Sequence, residues 1–226
     1  MKINIAIDGP SAAGKSTVSK RIAEELNYVH LDTGAMYRCC AYTALKHGLS
    51  LEDEDAVCAL LEKTKIEMTP DGKIYLDGED VTLAIRDDDV SMAASDVSKL
   101  KRVREDLVKR QQEMAKDKGF VMDGRDIGTV VLKDAEVKIY LTASVEARAE
   151  RRYKQNKEAG ILENDLEQIK KDIAARDEQD MNREFSPLRK ADDAIEVDSS
   201  DLTVDEVIAQ IMQYVNQALE KKESHA

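Results

Sequence analysis

No apolar run in the sequence approaches the ~20 residues that a membrane-spanning helix requires. The first ten residues, MKINIAIDGP, hold a short apolar segment that runs straight into a glycine loop. That is not the longer apolar stretch and cleavage site of a secretory leader. Both absences point to a cytoplasmic protein with no membrane partner. Cysteine is scarce: Cys39, Cys40 and Cys58 are the three, and none forms a CxxC pair. They read as reduced thiols that mostly fill space. The three histidines are scattered and suggest no metal site. Basic charge is outweighed, with 34 Lys and Arg against 46 Asp and Glu, a net charge of -12. A nucleic-acid partner needs a basic surface, so none is expected. A small phosphorylated ligand remains compatible, if arginines gather locally. No internal repeat, low-complexity linker or heptad seam interrupts the chain, and a monomer is expected.

The 226 residues suit one domain with appendages, or two small ones. INIAI (3–7), YVHL (28–31), FVMD (120–123), VKIYL (137–141) and AIEVD (194–198) read as short strands. Helical spacing separates them: Val18, Ile22 and Leu26 recur on one face, a helix is expected from Ala35 to His47, and LEDEDAVCALLEKT carries acidic residues in its first turn. Thr203 and Glu206 form a capping box ahead of the last helix. Between 65 and 81 the period changes, and a Pro-Asp-Gly turn separates two runs rich in β formers, the mark of a hairpin. Strands alternating with helices predict an α/β fold with a parallel sheet covered on both faces. Ligands then sit at the carboxyl ends of the strands. GPSAAGKS, DTGAMYR and GRDIG each begin where an expected strand ends.

GPSAAGKS, Gly9 to Ser16, satisfies G-x-x-x-x-G-K-[ST] in full. Gly9, Pro10, Ser11, Ala12, Ala13, Gly14, Lys15, Ser16 and Thr17 are therefore the expected ATP-binding residues. Glycines let the backbone curl until its N–H groups face phosphate oxygens, and the helix that follows adds its positive end. Lys15 would reach the β- and γ-phosphates, and the Ser16 hydroxyl would ligate Mg2+. The chain has no Asn-Lys-x-Asp guanine reader, which argues against a GTPase switch. Arginines at 38, 125, 148, 151, 152, 176 and 183 fall near expected strand ends or on the polar segments after them. Phosphoryl transfer uses such residues against the charge that develops on the transferring group. Taken alone, Arg151 and Arg152 read as a solvated helix face, Ser95 as a helix-surface serine and Asp180 as solvated.

IDGPSAAGKST, LDTGAMYR, RVRE, DGRDIGTVV and RDEQDMNR, in this order, resemble the bacterial cytidylate kinases. The resemblance runs from the first strand to the last helix. It implies a P-loop nucleoside monophosphate kinase fold: a five-stranded parallel core, an NMP-binding region, a small β-containing insert and a lid. The implied divisions are 1–32 core with P-loop, 33–102 NMP-binding region with the insert at about 64–100, 103–148 core, 149–165 lid and 166–226 core. The implied reaction moves the γ-phosphoryl group of ATP to CMP or dCMP, with magnesium.

On this resemblance Thr33 meets the acceptor ribose and Arg38 its phosphate, with Tyr37 beside them. Ser95 and Arg104 meet cytosine; Arg125 binds phosphate and Asp126 helps to read the base. Arg176 and Asp180 hold the ribose, and Arg183 the phosphates. Lys15, Arg125 and Arg183 are catalytic by electrostatics, joined by Arg148 and Arg152 when the lid closes. No cysteine lies in the lid, so no structural zinc is expected there. A P-loop kinase of another small acceptor (UMP, AMP or shikimate) and a nucleotide-dependent regulatory module remain the alternatives.

Overall fold

Five consecutive buried residues, Asn4–Asp8, form the strand β1. A strand covered on both faces has no polar side to alternate with, and between Asn4 and Asp8 this one is the apolar run Ile5-Ala6-Ile7. It belongs to a computed structural model that describes residues 1–69, 72–158, 160 and 165–224, at residue 88 the backbone alone. In chain order follow α1 (Lys15–Leu26), β2 (Val29–Asp32), α2 (Thr33–Lys46), α3 (Glu54–Leu61), β3 (Ile66–Met68), β4 (Ile74–Leu76), β5 (Glu79–Asp80), α4 (Asp88–Val97) and α5 (Lys101–Met114). The chain continues through β6 (Phe120–Gly124), β7 (Val137–Thr142), α6 (Val145–Glu158), α7 (Leu166–Asn182), β8 (Ile195–Asp198) and α8 (Val204–Glu223). A short 3-10 turn covers Ala84–Arg86, and a π-type turn covers Ile127–Val131. The larger sheet has five strands in the order β2-β6-β1-β7-β8. β1 runs parallel to β6 and β7, and β7 to β8.

The chain divides into two compact units, Met1–Tyr28 with Lys118–Ala226, and Val29–Asp117. The core of the first joins Ile5, Ile7, Ile139, Leu141 and Val197 of the strands to Val18 and Ile22 of α1 and to Val207, Ile211 and Val215 of α8. Each such side chain, buried, contributes about 1.5–3 kcal/mol. The capping box at Thr203 and Glu206 forms as expected and starts α8. The register of β1 on β6 sets Asp8 opposite Gly124. Two loops, one from each strand, therefore leave the sheet side by side.

The second unit holds α2 to α5 and a three-stranded antiparallel sheet, β3-β4-β5. The expected hairpin is β3 and β4; β5 adds a strand, with Asp80 opposite Tyr75. Pro70 and Asp71 of the expected turn lie outside the described residues. α5 also belongs to this unit, where the sequence reading assigns residues from 103 onward to the core. The cause is packing and hydrogen bonding: Leu107 and Gln111 are buried, and Arg110 donates to the carbonyls of Thr64 (2.8 Å) and Leu61 (2.7 Å). Cys39, Cys40 and Cys58 are buried free thiols, and burial pushes those of Cys39 and Cys40 up to about 12. They are inert packing residues at neutral pH.

Candidate active site

The phosphate loop starts on a residue that only glycine can supply. A Cβ on Gly9 would lie 2.0 Å from the backbone carbonyl oxygen of Leu141, and backbone cannot give way there. Gly14, at φ 90°, closes the loop and caps α1. Lys15 is buried, and its Nζ donates to the Pro10 carbonyl at 2.7 Å, so the side chain arches back over the loop. Burial first, and then the positive charge of Arg125, bring its pKa down to about 7 against the opposing charges of Asp123, Asp8 and Asp180. The Ser16 hydroxyl donates to Asp123 Oδ2 at 2.7 Å. Thr17 is exposed on the first turn of α1.

α6 and α7 hold the same loop from the other side. Ser11 N–H donates to Asp177 Oδ1 at 3.1 Å. Arg148 Nη1 donates to the Ser11 carbonyl at 3.0 Å and to Asp177 Oδ2 at 2.5 Å, and its Nε donates to the Ala143 carbonyl. Arg148 and Asp177 are both buried. Arg148 thus lies on the phosphate loop itself, one residue before the expected lid. Within 149–165, α6 continues to Glu158, with Arg152 exposed, and Asp165 caps α7. Residues 159 and 161–164 of that segment lie outside the described residues. Arg151 is not a solvated residue: it donates to the Ser199 hydroxyl and carbonyl.

Beside the phosphate loop, the turn after β6 and the end of α7 bring four of the expected residues together. Arg125 Nε donates to Asp180 Oδ2 at 2.7 Å. Arg183 Nη1 stands 3.9 Å from Asp180 Oδ1, and Arg183 Nη2 stands 3.9 Å from Asp126 Oδ1. Arg183 Nε is fixed on the Ser186 carbonyl at 2.6 Å. The charges alternate, so both guanidiniums are held without a like-charged neighbour between them. Arg176, exposed, lies one turn before Asp180 on α7.

In the second unit, Asp32 caps α2 through Ala35 N–H (3.2 Å) and accepts from Arg38 Nη2 at 2.7 Å. Burial pushes the Asp32 carboxyl up; the charge and hydrogen bond of Arg38, with His30 and the Ala35 N–H, together outweigh it and hold the group below its ordinary value. Arg38 Nε is a buried donor with no hydrogen-bond acceptor among the described residues. A buried cationic donor of that kind fits an incoming anion. Thr33 is buried at the first position of α2. The Arg104 guanidinium lies 5.2 Å from the Tyr37 ring centroid, a cation–π contact, and its Nη1 donates to the Ser98 carbonyl at 3.2 Å. The Ser98 hydroxyl in turn donates to the Ser95 carbonyl at 2.8 Å. Tyr37, Arg104 and Ser95 therefore form one connected group.

Three carboxylates escape the sequence reading: Asp8, Asp123 and Asp177. A signal exists for Asp123, since FVMD is an apolar strand that ends on an acid, facing the phosphate loop across a parallel pair. Asp8 has the same signal in INIAID. Asp177 has none: in RDEQDMNR it reads as one more solvated helix residue.

The sequence model of a family described as cytidylate kinase matches residues 5–217. A cytidylate kinase of Bacillus velezensis is 56% identical over 219 residues, which cover 96% of this chain and 97% of that protein. Another, of Bacillus pumilus, is 55% identical over 214 residues, 93% and 95% of the two chains. Among solved structures, a gluconokinase from Sinorhizobium meliloti matches at a TM-score of 0.51 with 14% identity, covering 100% of this chain and 98% of its own. That likeness bears on the fold alone.

Proposed function

The chain belongs to the cytidylate kinase family, and on that premise we propose that it transfers the γ-phosphoryl group of ATP to CMP or dCMP, giving ADP and CDP or dCDP. The observation that carries the reading is the buried Lys15 on its phosphate loop, with the Ser16–Asp123 pair beside it. The acceptor is a phosphate oxygen, already ionised near neutral pH, so no general base is needed. The protein's part is positioning and neutralisation of charge. Lys15 lies where ATP phosphates arrive, and Arg125 and Arg183 add positive charge held in fixed directions by Asp180 and Asp126. Preorganised charge of this kind stabilises a transition state without reorganisation at the moment of reaction. We assign Arg152, and the segment 149–165, to closure over the ATP phosphates, which excludes water as a competing acceptor.

Ser16 and Asp123 are oxygen ligands of the kind a Mg2+ ion takes alongside substrate phosphates, and we assign the ion to them. Bound there, it would neutralise phosphate charge.

On the acceptor side, Thr33 is assigned to the ribose, Arg38 to the phosphate, and Arg176 and Asp180 to the ribose. Cytosine offers acceptors at O2 and N3 and a donor at its 4-amino group. Arg104 can donate to the first two; Ser95 and Asp126 can accept from the third. Uracil reverses N3 and position 4, leaving buried groups unmatched at a cost of about 1–3 kcal/mol each. The reaction is assigned to one chain in the cytoplasm, on water-soluble substrates. A panel of CMP, dCMP, UMP, AMP and shikimate with ATP and magnesium tests the proposal. CMP or dCMP should lead; equal turnover of UMP or AMP would overturn the base assignment.

A further inference from the structure

Asp8 is the last residue of β1 and immediately precedes Gly9 of the phosphate loop. Its carboxylate is 4% exposed. Oδ1 accepts the Ile127 N–H at 2.8 Å, and Oδ2 accepts the Gly128 N–H at 2.7 Å. These are the two amides that follow Asp126, and both bonds are as short as charge-assisted bonds run. The sheet register makes the contact possible, because Asp8 stands opposite Gly124 and the chain leaving β6 turns back across the end of β1.

A buried carboxylate is a costly way to tie down a turn. The Asp8 pKa is raised to about 6, chiefly by burial and in smaller part by Asp126, while the two amides and Lys15 act to lower it. A neutral hydroxyl could cap the turn with a smaller desolvation cost. What the carboxylate adds is a two-point grip: one rigid acceptor on each of two successive amides. That fixes the backbone directly after Asp126 to the origin of the phosphate loop. We propose that Asp8 is a positioning residue for recognition of the acceptor base, holding the Asp126 side chain in register through the amides of Ile127 and Gly128. The inference rests on the assignment of Asp126 as a base reader.

The groups facing Asp8 are Asp126 from its own turn and Lys15 from α1, while the Lys138 side chain of β7 packs against Gly128. Asp8→Asn keeps the size of the side chain but turns an amide donor toward one of the two N–H groups, so one of the paired bonds is lost. The experiment measures kcat/KM for CMP and for UMP, and KM for ATP, in Asp8→Asn, with Asp126→Ala as the reference and urea denaturation to confirm folding. The expected result is a fall of about tenfold in the CMP-to-UMP ratio, carried by KM for CMP, with KM for ATP within about twofold. A purely structural Asp8 would lower kcat for every acceptor alike and leave the ratio unchanged, which overturns the inference. If Asp126→Ala lowers the ratio and Asp8→Asn does not, only the inference falls. If Asp126→Ala leaves the ratio unchanged, the base-reader assignment fails and takes the inference with it. Should Asp8→Asn not fold, Asp8→Ser decides. Its shorter side chain, with one oxygen in place of two, cannot keep the two-point grip on the Ile127 and Gly128 amides. It should lower the same ratio, and an unchanged ratio overturns the inference.

Discussion

A lysine whose pKa is near 7 is mostly neutral at pH 8, and Lys15 is such a lysine. Polyphosphate arriving over it favours the charged form, so binding should draw a proton from solution. Titrating the protein with ATP at pH 8, without an acceptor, in buffers of different ionisation enthalpy should show net proton uptake. Lys15→Met should abolish that uptake; equal uptake in both proteins would mean that Lys15 does not meet the phosphates. The same shift has a consequence for stability. The folded pKa of Lys15 lies below its ordinary value of 10.5, so between about 7 and 10.5 the unfolded chain binds more protons. Stability from this group therefore rises with pH across that window, and the cost of its buried charge is greatest below pH 7. Lys15→Met should stabilise the ligand-free protein at pH 6 by the order of 2 kcal/mol, with the gain fading toward pH 10.5. Thermal unfolding across pH checks this, and a gain independent of pH would rule out the charge as its cause.

Two helices grip the phosphate loop at Ser11 through one ion pair. Asp177 of α7 takes the Ser11 N–H and Arg148 of α6 takes its carbonyl, while the two side chains bond to each other. Asp177→Ala would leave Arg148 charged and buried, at a cost of about 3 kcal/mol. Asp177→Leu with Arg148→Met should recover much of that loss, because it removes both charges. Urea denaturation of the single and double variants gives the coupling, and simple additivity would show that the pair is not a unit. This grip also marks where the sequence stops being readable. β1, the phosphate loop and α1 are legible from an apolar run, a glycine spacing and a helical period, all local signals. The Asp32 cap, the α8 capping box and the Arg104–Tyr37–Ser95 group rest on positions that the motifs already single out. Asp177 is not legible as a site residue, and Asp8, whose strand visibly ends on an acid, is not legible in its role, because these depend on which strand lies beside which and on two side chains 29 residues apart in the chain, Arg148 and Asp177, meeting at Ser11. The same holds for α5, which joins the second unit through Arg110 and two carbonyls some 46 and 49 residues away.

At the scale of the molecule, the chain builds two cores. One is the strand-and-helix core of Ile5, Ile7, Ile139 and Leu141 with α1 and α8. The other lies in the contiguous segment Val29–Asp117, where Met36, Leu61, Val97 and Leu107 are buried. The first unit is assembled from two stretches of chain, the second from one. A unit with its own apolar core and its own hydrogen-bonded helices can open without the other. Leu107→Ala removes a fully buried side chain from α5 and should cost about 3 kcal/mol where that core opens. Native-state hydrogen exchange in low denaturant reads each unit separately. Protection in α3 and α5 should fall by the full cost of the substitution, while protection at Ile5 of β1 and Ile139 of β7 should hold until global unfolding takes over. If the amides of β1 and β7 lose protection in step with those of α5, the two cores open as one, and Arg38 and Arg104, proposed for the acceptor, have no stability of their own apart from the phosphate loop's. A separate opening would instead give the 29–117 segment a lower local stability, which any ligand held by that segment would raise by mass action.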